Sequence, residues 1–251
     1  MNERARQKLI LALDFPSIEP AIELAQNISH LIGIFKINIH LFTSSGPAAL
    51  GKLHQLGPDI FLDLKFHDIP NTVKGAVSSA VGLPGVRLLD VHALGGLEMM
   101  QAAATARDDA KMANLPVPKL LAITILTSMD HAAMRGVGIG GPASKRVVQL
   151  ARLAKKAGMD GVVASAQEIR ALRRACGKEF LIVVPGIRPA VGGGPSRKGK
   201  SDDQSRVATP AEAIRAGADY LVIGRPITGA PDPVSAARAV LEEIGSALPC
   251  N

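Results

Sequence analysis

The sequence predicts an α/β protein that folds as a single (β/α)8 barrel of the TIM type over residues 1–251. Its residues are 47% hydrophobic but only 3% aromatic, so we expect a core of aliphatic side chains. Such a core suits a parallel sheet covered by helices better than an all-β sandwich. Short apolar stretches also alternate with helix-like segments along the whole chain. An open doubly wound sheet is the alternative, but no predicted strand is followed by a dinucleotide-type glycine fingerprint.

Eight apolar stretches are predicted to be strands because they are short, aliphatic and bounded by turn or polar residues. In chain order they are Leu9–Leu13, Gly33–Lys36, Ile60–Lys65, Leu88–His92, Leu120–Leu126, Gly161–Ala164, Leu181–Val184 and Tyr220–Ile223. The segments between them have helical patterns, and several begin with proline or a capping residue and end near glycine. These are Ile18–Ser29, Ala48–Leu56, Thr72–Val81, Leu97–Ala110, Ser144–Lys156, Gln167–Cys176, Ala211–Ala216 and Val234–Ser246.

Polar side chains follow the carboxyl ends of the predicted strands, whereas the beginnings of the strands are mostly apolar or glycine. The polar residues are Asp14, Lys36, Asp63, Lys65, His92, Thr127, Ser128, Ser165, Arg188 and Arg225. Active sites of (β/α)8 barrels lie at this face. The asymmetry therefore predicts one composite site.

The charged run Asp63, Lys65 and Asp68 is the most informative part of the sequence. Side chains alternate along a strand, so Asp63 and Lys65 are expected to project side by side. An exposed ion pair of small energetic value is the alternative. The apolar lead-in Ile60–Leu62 indicates a buried strand, however, and charges at the end of such a strand are more often functional.

A second candidate site is the turn Gly224-Arg225-Pro226 after the last predicted strand. Backbone N–H groups at such a turn, together with an arginine, can bind a phosphate, although Arg225 could also be a lone surface residue. The glycine-rich segment Pro185–Pro210 contains further basic residues. A loop of this length is either disordered or functional. The basic residues in it are Arg188, Arg197, Lys198, Lys200 and Arg206.

Composition narrows the classes of partner. The formal net charge is +7, but basic residues are scattered and aromatic residues are few, so a small anionic substrate is favoured over nucleic acid.

No signal peptide or membrane span is expected. Cys176 and Cys250 stand far apart, which predicts a reduced, cytoplasmic setting. The six histidines, including His67 and His92, lack ligand spacing, so no metal site is expected.

Five segments together resemble the orotidine 5'-phosphate decarboxylases in their shorter bacterial form. They are Asp63–Thr72, Leu126–Ser128, Val184–Pro189, Asp202–Gln204 and Ile223–Thr228. The resemblance covers nearly the whole chain from Leu11 onward, and the Asp-x-Lys-x-x-Asp-Ile-Pro-Asn-Thr run is its most specific part. It implies an enzyme that removes CO2 from orotidine 5'-phosphate to give UMP, the last step of pyrimidine biosynthesis, without a metal or an organic cofactor.

The resemblance also implies roles for individual residues. Lys65 would protonate C6 of the pyrimidine, Asp63 would lie against the substrate carboxylate, and Lys36 would anchor the network and contact the ribose. Asp14 would bind the ribose as well. The remaining binding residues would be Thr127 and Ser128 at the pyrimidine and Arg188, Gln204, Gly224 and Arg225 at the phosphate, with the segment around 188–207 as a lid.

Asp68, together with Ile69 and Thr72, would reach into the active site of a neighbouring subunit. The resemblance thus implies an obligate homodimer with shared active sites. The chain departs from the family pattern at Asn38 and His40, where glycine and glutamate are more frequent. It departs again at Asp90 and Leu94, which stand where asparagine and serine are frequent.

The sequence alone leaves two alternative functions open. The 3-hexulose-6-phosphate synthases and 3-keto-gulonate-phosphate decarboxylases share the charged run and bind magnesium. They typically have an acidic residue at the end of strand two, where this chain has the cation Lys36. A noncatalytic barrel is the other alternative, and loss of Asp63 or Lys65 would have been its signature.

Overall fold

A computed structural model of the protein describes residues 2–190 and 207–249. In these residues eight parallel strands form a closed barrel in sequence order. The strands are β1 (Leu9–Ala12), β2 (Ile34–Asn38), β3 (Asp59–Phe66), β4 (Val86–His92), β5 (Lys119–Ile123), β6 (Gly161–Val163), β7 (Leu181–Val184) and β8 (Tyr220–Ile223). Pairing of β1 with β8 closes the barrel, with Leu11 opposite Ile223. The (β/α)8 fold predicted from the sequence is confirmed.

Helices connect the strands and cover the barrel. They are α1 (Glu3–Arg6), α2 (Ile18–Ile28), α3 (Ile39–Ser45), α4 (Ala48–His54), α5 (Pro70–Val81), α6 (Gly96–Met112), α7 (His131–Gly136), α8 (Ala143–Lys156), α9 (Ile169–Cys176), α10 (Pro210–Ala216), α11 (Arg225–Thr228) and α12 (Pro233–Ala247). All eight predicted helices are found, with ends that differ by a few residues. Within the described ranges, no helix is both long and apolar enough to cross a membrane.

Strand β5 ends earlier than predicted, at Ile123 rather than Leu126. The amide and the hydroxyl of Thr124 both donate to the carbonyl oxygen of Val163, at 3.3 and 2.9 Å. The chain leaves the sheet after Thr124. Thr127 and Ser128 therefore lie in a loop above the strand instead of at its end.

Two apolar layers make up the core. The larger one lies between the strands and the helices. The smaller one fills the inside of the barrel with residues such as Ile34, Phe61 and Leu88. Because side chains alternate along a strand, the next inward positions on these strands are Lys36, Asp63 and Asp90. The barrel interior is thus apolar at its base and charged at its carboxyl end.

Residues 191–206, which form most of the segment expected to act as a lid, lie outside the described residues, and so does Gln204. The two ends of this segment are joined. The amide of Arg188 donates to the carbonyl oxygen of Ala208 at 2.9 Å, and Ile187 pairs with Ala208 in an isolated bridge. The joined ends lie at the rim of the barrel, just beyond β7.

Candidate active site

A cavity of about 510 Å³ opens at the carboxyl ends of the strands. Most of the residues predicted from the sequence line it. Those that do are Asp14, Lys36, Asp63, Lys65, Thr127, Ser128, Arg188, Gly224 and Arg225. The barrel brings these side chains together because the carboxyl ends of parallel strands meet at one face.

Four side chains of alternating charge form a continuous row of ion pairs on one wall of the cavity. The ammonium of Lys36 lies 3.1 Å from Asp14 Oδ1 and 3.1 Å from Asp63 Oδ2. The other oxygen of Asp63 accepts a hydrogen bond from the ammonium of Lys65. Asp63 and Lys36 are only 7% and 8% exposed. The two lysines are therefore bridged by one buried carboxylate.

The protonation states of Asp63 and Lys36 follow from the geometry of this row of ion pairs. Burial disfavours the ionised form of Asp63, but the charges of Lys36 and Lys65 outweigh burial and lower its pKa to about 2. Burial likewise disfavours the Lys36 cation, yet the carboxylates of Asp63 and Asp14 outweigh it and raise the pKa of Lys36. At neutral pH Asp63 is consequently ionised and Lys36 is protonated.

Asn38, one of the departures from the family pattern, binds Asp14 at the end of this row of ion pairs. Its amide group donates to Asp14 Oδ1 at 2.8 Å, while its side-chain oxygen accepts from the amide of Leu41 at 2.9 Å and caps α3. Asn38 thus fixes Asp14 and begins the helix at the same time. His40, the neighbouring departure, is exposed on α3.

Two arginines lie on another part of the rim. Arg188 follows β7, which stands opposite β3 in the closed order of strands, and Arg225 follows β8 at the start of α11. Gly224 separates β8 from Arg225 where the chain passes close to β1. A Cβ atom at Gly224 would lie 3.3 Å from the Cβ of Ala12. The cavity therefore has a wall of alternating charges and a rim that carries two arginines.

Three predicted site residues do not line the cavity of their own chain. Asp68, Ile69 and Thr72 lie beyond the end of β3, at the start of α5, and all three are exposed. The carboxylate of Asp68 accepts a hydrogen bond from the amide of Ile69 at 2.6 Å. Within one chain, these residues are separate from the array of Lys36, Asp63 and Lys65.

Asp90, for which no role was predicted from the sequence, is fully buried and belongs to the lining of the cavity. Its Oδ1 accepts a hydrogen bond from the backbone amide of Lys65 at 2.8 Å. Burial, and next the negative charge of Asp63, raise the pKa of Asp90 well above its ordinary value. The alternation Leu88, Asp90, His92 along β4 was the signal that could have identified it.

His67 and His92 form a stacked pair at the ends of β3 and β4, with ring centroids 5.2 Å apart. Burial lowers the pKa of His92 to about 4, and the charges of His67 and Lys65 act in the same direction. His92 is therefore neutral at physiological pH. No group of three or more histidine, cysteine or acidic side chains within residues 2–190 and 207–249 is arranged to hold a metal ion.

The fold and the site together define a class, the (β/α)8-barrel enzymes with a lysine–aspartate array at the carboxyl end of the barrel. A family model described as "Orotidine 5'-phosphate decarboxylase / HUMPS family" matches residues 7–240. The chain belongs to this family.

Individual relatives agree with the family match. The chain is 53% identical over 242 residues to an orotidine 5'-phosphate decarboxylase of Moorella thermoacetica, covering 96% of this chain and 93% of the relative. It is 49% identical over 243 residues to that of Geobacter sp. strain M21, covering 97% and 98% of the two chains. The crystal structure of orotidine 5'-phosphate decarboxylase from Lactobacillus acidophilus is similar with a TM-score of 0.80 and 37% identity, covering 94% and 98%.

Proposed function

We propose that the protein decarboxylates orotidine 5'-phosphate to UMP and CO2 in pyrimidine biosynthesis. The observation that carries this proposal is the buried bridge Lys36–Asp63–Lys65 in the wall of a cavity whose rim also holds Arg188 and Arg225. An anionic phosphate ester fits the cationic rim, and a reaction that develops negative charge on carbon fits an ammonium held beside a carboxylate. The names of relatives that are about half identical in sequence support the same reaction.

The chemical step breaks the bond between C6 and the carboxylate. CO2 leaves, the electron pair stays on C6, and a proton from the Lys65 ammonium forms the new C6–H bond of UMP. No carbonyl stands next to C6 to accept the electron pair, so an enzyme at the upper end of known rate accelerations must lower the barrier by roughly 20 kcal/mol. An ammonium that is oriented before the reaction contributes strongly in a cavity that excludes water.

Asp63 has two roles in this mechanism. It orients the Lys65 ammonium by accepting its hydrogen bond, and its negative charge lies where the substrate carboxylate would bind. The repulsion is relieved when CO2 leaves, which favours the transition state over the bound substrate. Lys36 keeps Asp63 ionised despite burial and would contact the ribose together with Asp14.

The remaining cavity residues would bind the parts of the substrate that do not react. Thr127 and Ser128 would contact the pyrimidine, and Arg188, Gly224 and Arg225 would bind the phosphate. We assign Gln204 to the phosphate as well, on the resemblance alone. Binding energy gained at the phosphate orients the pyrimidine against Lys65, so it contributes to turnover as well as to affinity.

Arg225→Ala should weaken the reaction of phosphorylated substrates selectively. Loss of a charge-assisted hydrogen bond to phosphate costs roughly 1.5–3 kcal/mol, so kcat/KM for orotidine 5'-phosphate should fall about 10- to 100-fold. The slow reaction of orotidine, which lacks the phosphate, should change little. Arg238→Ala, an exposed arginine on α12, is the matched control. Equal losses for both substrates would contradict a phosphate role for Arg225.

We further propose that the enzyme is a homodimer with shared active sites. Large apolar side chains are exposed after three consecutive strands at the face that holds the cavity: Ile39 after β2 is 59% exposed, Ile69 after β3 is 66% exposed, and Leu94 after β4 is 41% exposed. Exposed apolar side chains on one face of a protein are typical of an interface. A second copy packed there would bring its exposed Asp68, Ile69 and Thr72 towards the cavity of the first.

Subunit complementation tests this arrangement. Lys65→Ala and Asp68→Ala should each be nearly inactive, but a mixture allowed to exchange subunits should recover about one quarter of wild-type activity. Half of the dimers would then be mixed, and each mixed dimer would hold one intact site of two. Lys65→Ala mixed with Asp63→Asn is the control, because both changes lie in the same array and no site is restored. Absence of recovery in the first mixture would contradict shared sites.

The related sugar-phosphate enzymes are the alternative for this barrel. They require magnesium and an acidic residue at the end of strand two, where Lys36 lies paired with two carboxylates. The proposed reaction needs no metal or organic cofactor, because Lys65 supplies the proton and Asp63 the negative charge. Assays of orotidine 5'-phosphate without magnesium, and of a 3-hexulose 6-phosphate with it, distinguish the two. Turnover of the sugar phosphate alone would overturn the proposal.

A cytoplasmic location fits this function, and it also fits Cys176, which is a free, buried thiol. We propose no nucleic-acid or membrane partner for the protein.

A further inference from the structure

The pairing between β3 and β4 is irregular at the charged array. Leu62 lies opposite Leu89, but the next pair is Phe66 with Val91, so β3 advances four residues where β4 advances two. The extra residues form a bulge that contains Asp63 and Lys65. Lys65 has a φ of 50°, in the left-handed region that residues with a side chain rarely adopt. Such a backbone persists only where its surroundings hold it.

Asp90 lies on β4 between the two residues that flank this break. Its Oδ1 accepts the hydrogen bond of the Lys65 amide at 2.8 Å, so a side-chain oxygen takes the place that a main-chain carbonyl has in a regular ladder. Asp90 is 0% exposed. It thus binds the backbone of the residue that would deliver the proton.

The second oxygen of Asp90 also needs an explanation. Oδ2 is buried, and no conventional donor reaches it within the described residues. The carboxyl groups of Asp90 and Asp63 are neighbours, and they can share a hydrogen bond when one of them carries a proton. Lys36 and Lys65 hold Asp63 in its ionised form. The proton therefore belongs to Asp90, which agrees with the raised pKa of this buried group.

The charged groups around Asp90 are few and all belong to the array. Asp63 and Lys65 on β3 act on it directly, and Lys36 on β2 acts through its ion pair with Asp63. On the other flank, the residue of β5 opposite Asp90 is the apolar Leu121. The surroundings of Asp90 therefore favour a neutral hydrogen-bond donor over a second buried anion.

We propose that Asp90 is a positioning residue for the decarboxylation. One oxygen of its carboxyl group accepts from the Lys65 amide, and the other, as a hydroxyl, donates to Asp63, so that Asp63 and Lys65 are held in place before the substrate arrives. This inference rests on the proposed function. In this role Asp90 acts through Asp63 and Lys65, the two residues proposed to contact the reacting groups.

Two substitutions separate this role from a merely structural one. Asp90→Asn keeps an oxygen that can accept from Lys65 and supplies an N–H donor to Asp63, so kcat should stay within about 3-fold of wild type, since a volume-conserving replacement retains both bonds. Asp90→Ala removes both bonds. Misplacement of a catalytic group by about 1 Å costs on the order of 100-fold, so kcat should fall by about that factor, with KM and the Kd of UMP nearly unchanged. Asp59→Asn, at the far end of β3, is the control.

A second readout does not depend on activity. Because the pKa of Asp90 is raised by folding, the folded state binds more protons than the unfolded state above pH 4, and this group makes stability fall as the pH rises. Asp90→Asn removes that effect. The Tm of Asp90→Asn relative to wild type should therefore increase as the pH rises above about 4.

The outcomes are distinct. Wild-type kcat in folded Asp90→Ala, or a loss in Asp90→Asn as large as in Asp90→Ala, would overturn the inference. A Tm difference that does not grow with pH would overturn the neutral state of Asp90. If Asp90→Ala does not fold, the kcat and the Tm of Asp90→Asn still test the inference. Wild-type protein that fails to convert orotidine 5'-phosphate would contradict the proposed function, while the Tm series would still decide the state of Asp90.

Discussion

Lys65→Ala is expected to abolish turnover of orotidine 5'-phosphate. The ammonium both stabilises the developing charge on C6 and supplies the proton, and these two effects together predict a fall in kcat of at least about 10⁴-fold. Binding of UMP should weaken only slightly, because phosphate and ribose contacts lie elsewhere in the cavity. Steady-state assays and calorimetric titration with UMP would measure the two effects separately.

Lys74→Ala is the matched control for this variant. Lys74 lies on α5, its ammonium is 3.0 Å from Asp109 Oδ2, and its side chain is 42% exposed. Its loss should leave kcat and UMP affinity unchanged. Substantial activity in Lys65→Ala, or an equal loss in Lys74→Ala, would refute the role of Lys65 as the proton donor.

Asp63→Asn is expected to have the second largest effect. The change removes the charge that bridges Lys36 and Lys65, so two neighbouring ammonium groups lose their common partner and Lys65 loses its orientation. Loss of one preorganised electrostatic contact predicts a fall in kcat of roughly 10²- to 10³-fold. KM should stay constant or decrease, because the substrate carboxylate no longer faces a negative charge.

The same variant should change the response to acid. The pKa of Asp63 is lowered to about 2 in the folded state, so its ionised form stabilises the fold above pH 4 and this contribution is lost as the pH falls towards 2. Asp63→Asn should be less stable than wild type at pH 7, with a difference that narrows towards pH 2. A rise in KM together with an unchanged kcat would contradict the role of Asp63 in turnover.

The fold could be predicted from the sequence because each local signal agrees with the barrel. The apolar run Leu181–Val184 and the pattern of Pro210–Ala216, which is closed by Gly217, are typical of a strand and a helix in any context. Helix α3 was missed because its start depends on Asn38, whose side chain caps it while binding Asp14 of another strand. Thr124, just after the end of β5, likewise binds Val163 of the neighbouring strand. Such long-range contacts leave no local pattern.

The candidate site was predictable to a similar degree. Asp63 and Lys65 stand out as charges after a buried strand, but strict alternation does not reveal the bulge that lies between Leu62 and Phe66. Asp90 was named only as a departure from the family pattern, because its alternation with Leu88 and His92 does not show which group it binds. The bulge and Asp90 meet only when β3 pairs with β4. The assignment of Asp68 to a neighbouring site stays a prediction, because it concerns a second chain.

The most direct test of the proposed reaction is the loss of orotidine 5'-phosphate absorbance in the presence of EDTA, with wild type and Lys65→Ala measured side by side. We expect rapid conversion to UMP by the wild type and none by the variant. A wild-type protein that is inactive until magnesium is added, or a variant that converts the substrate as fast as the wild type, would contradict this expectation.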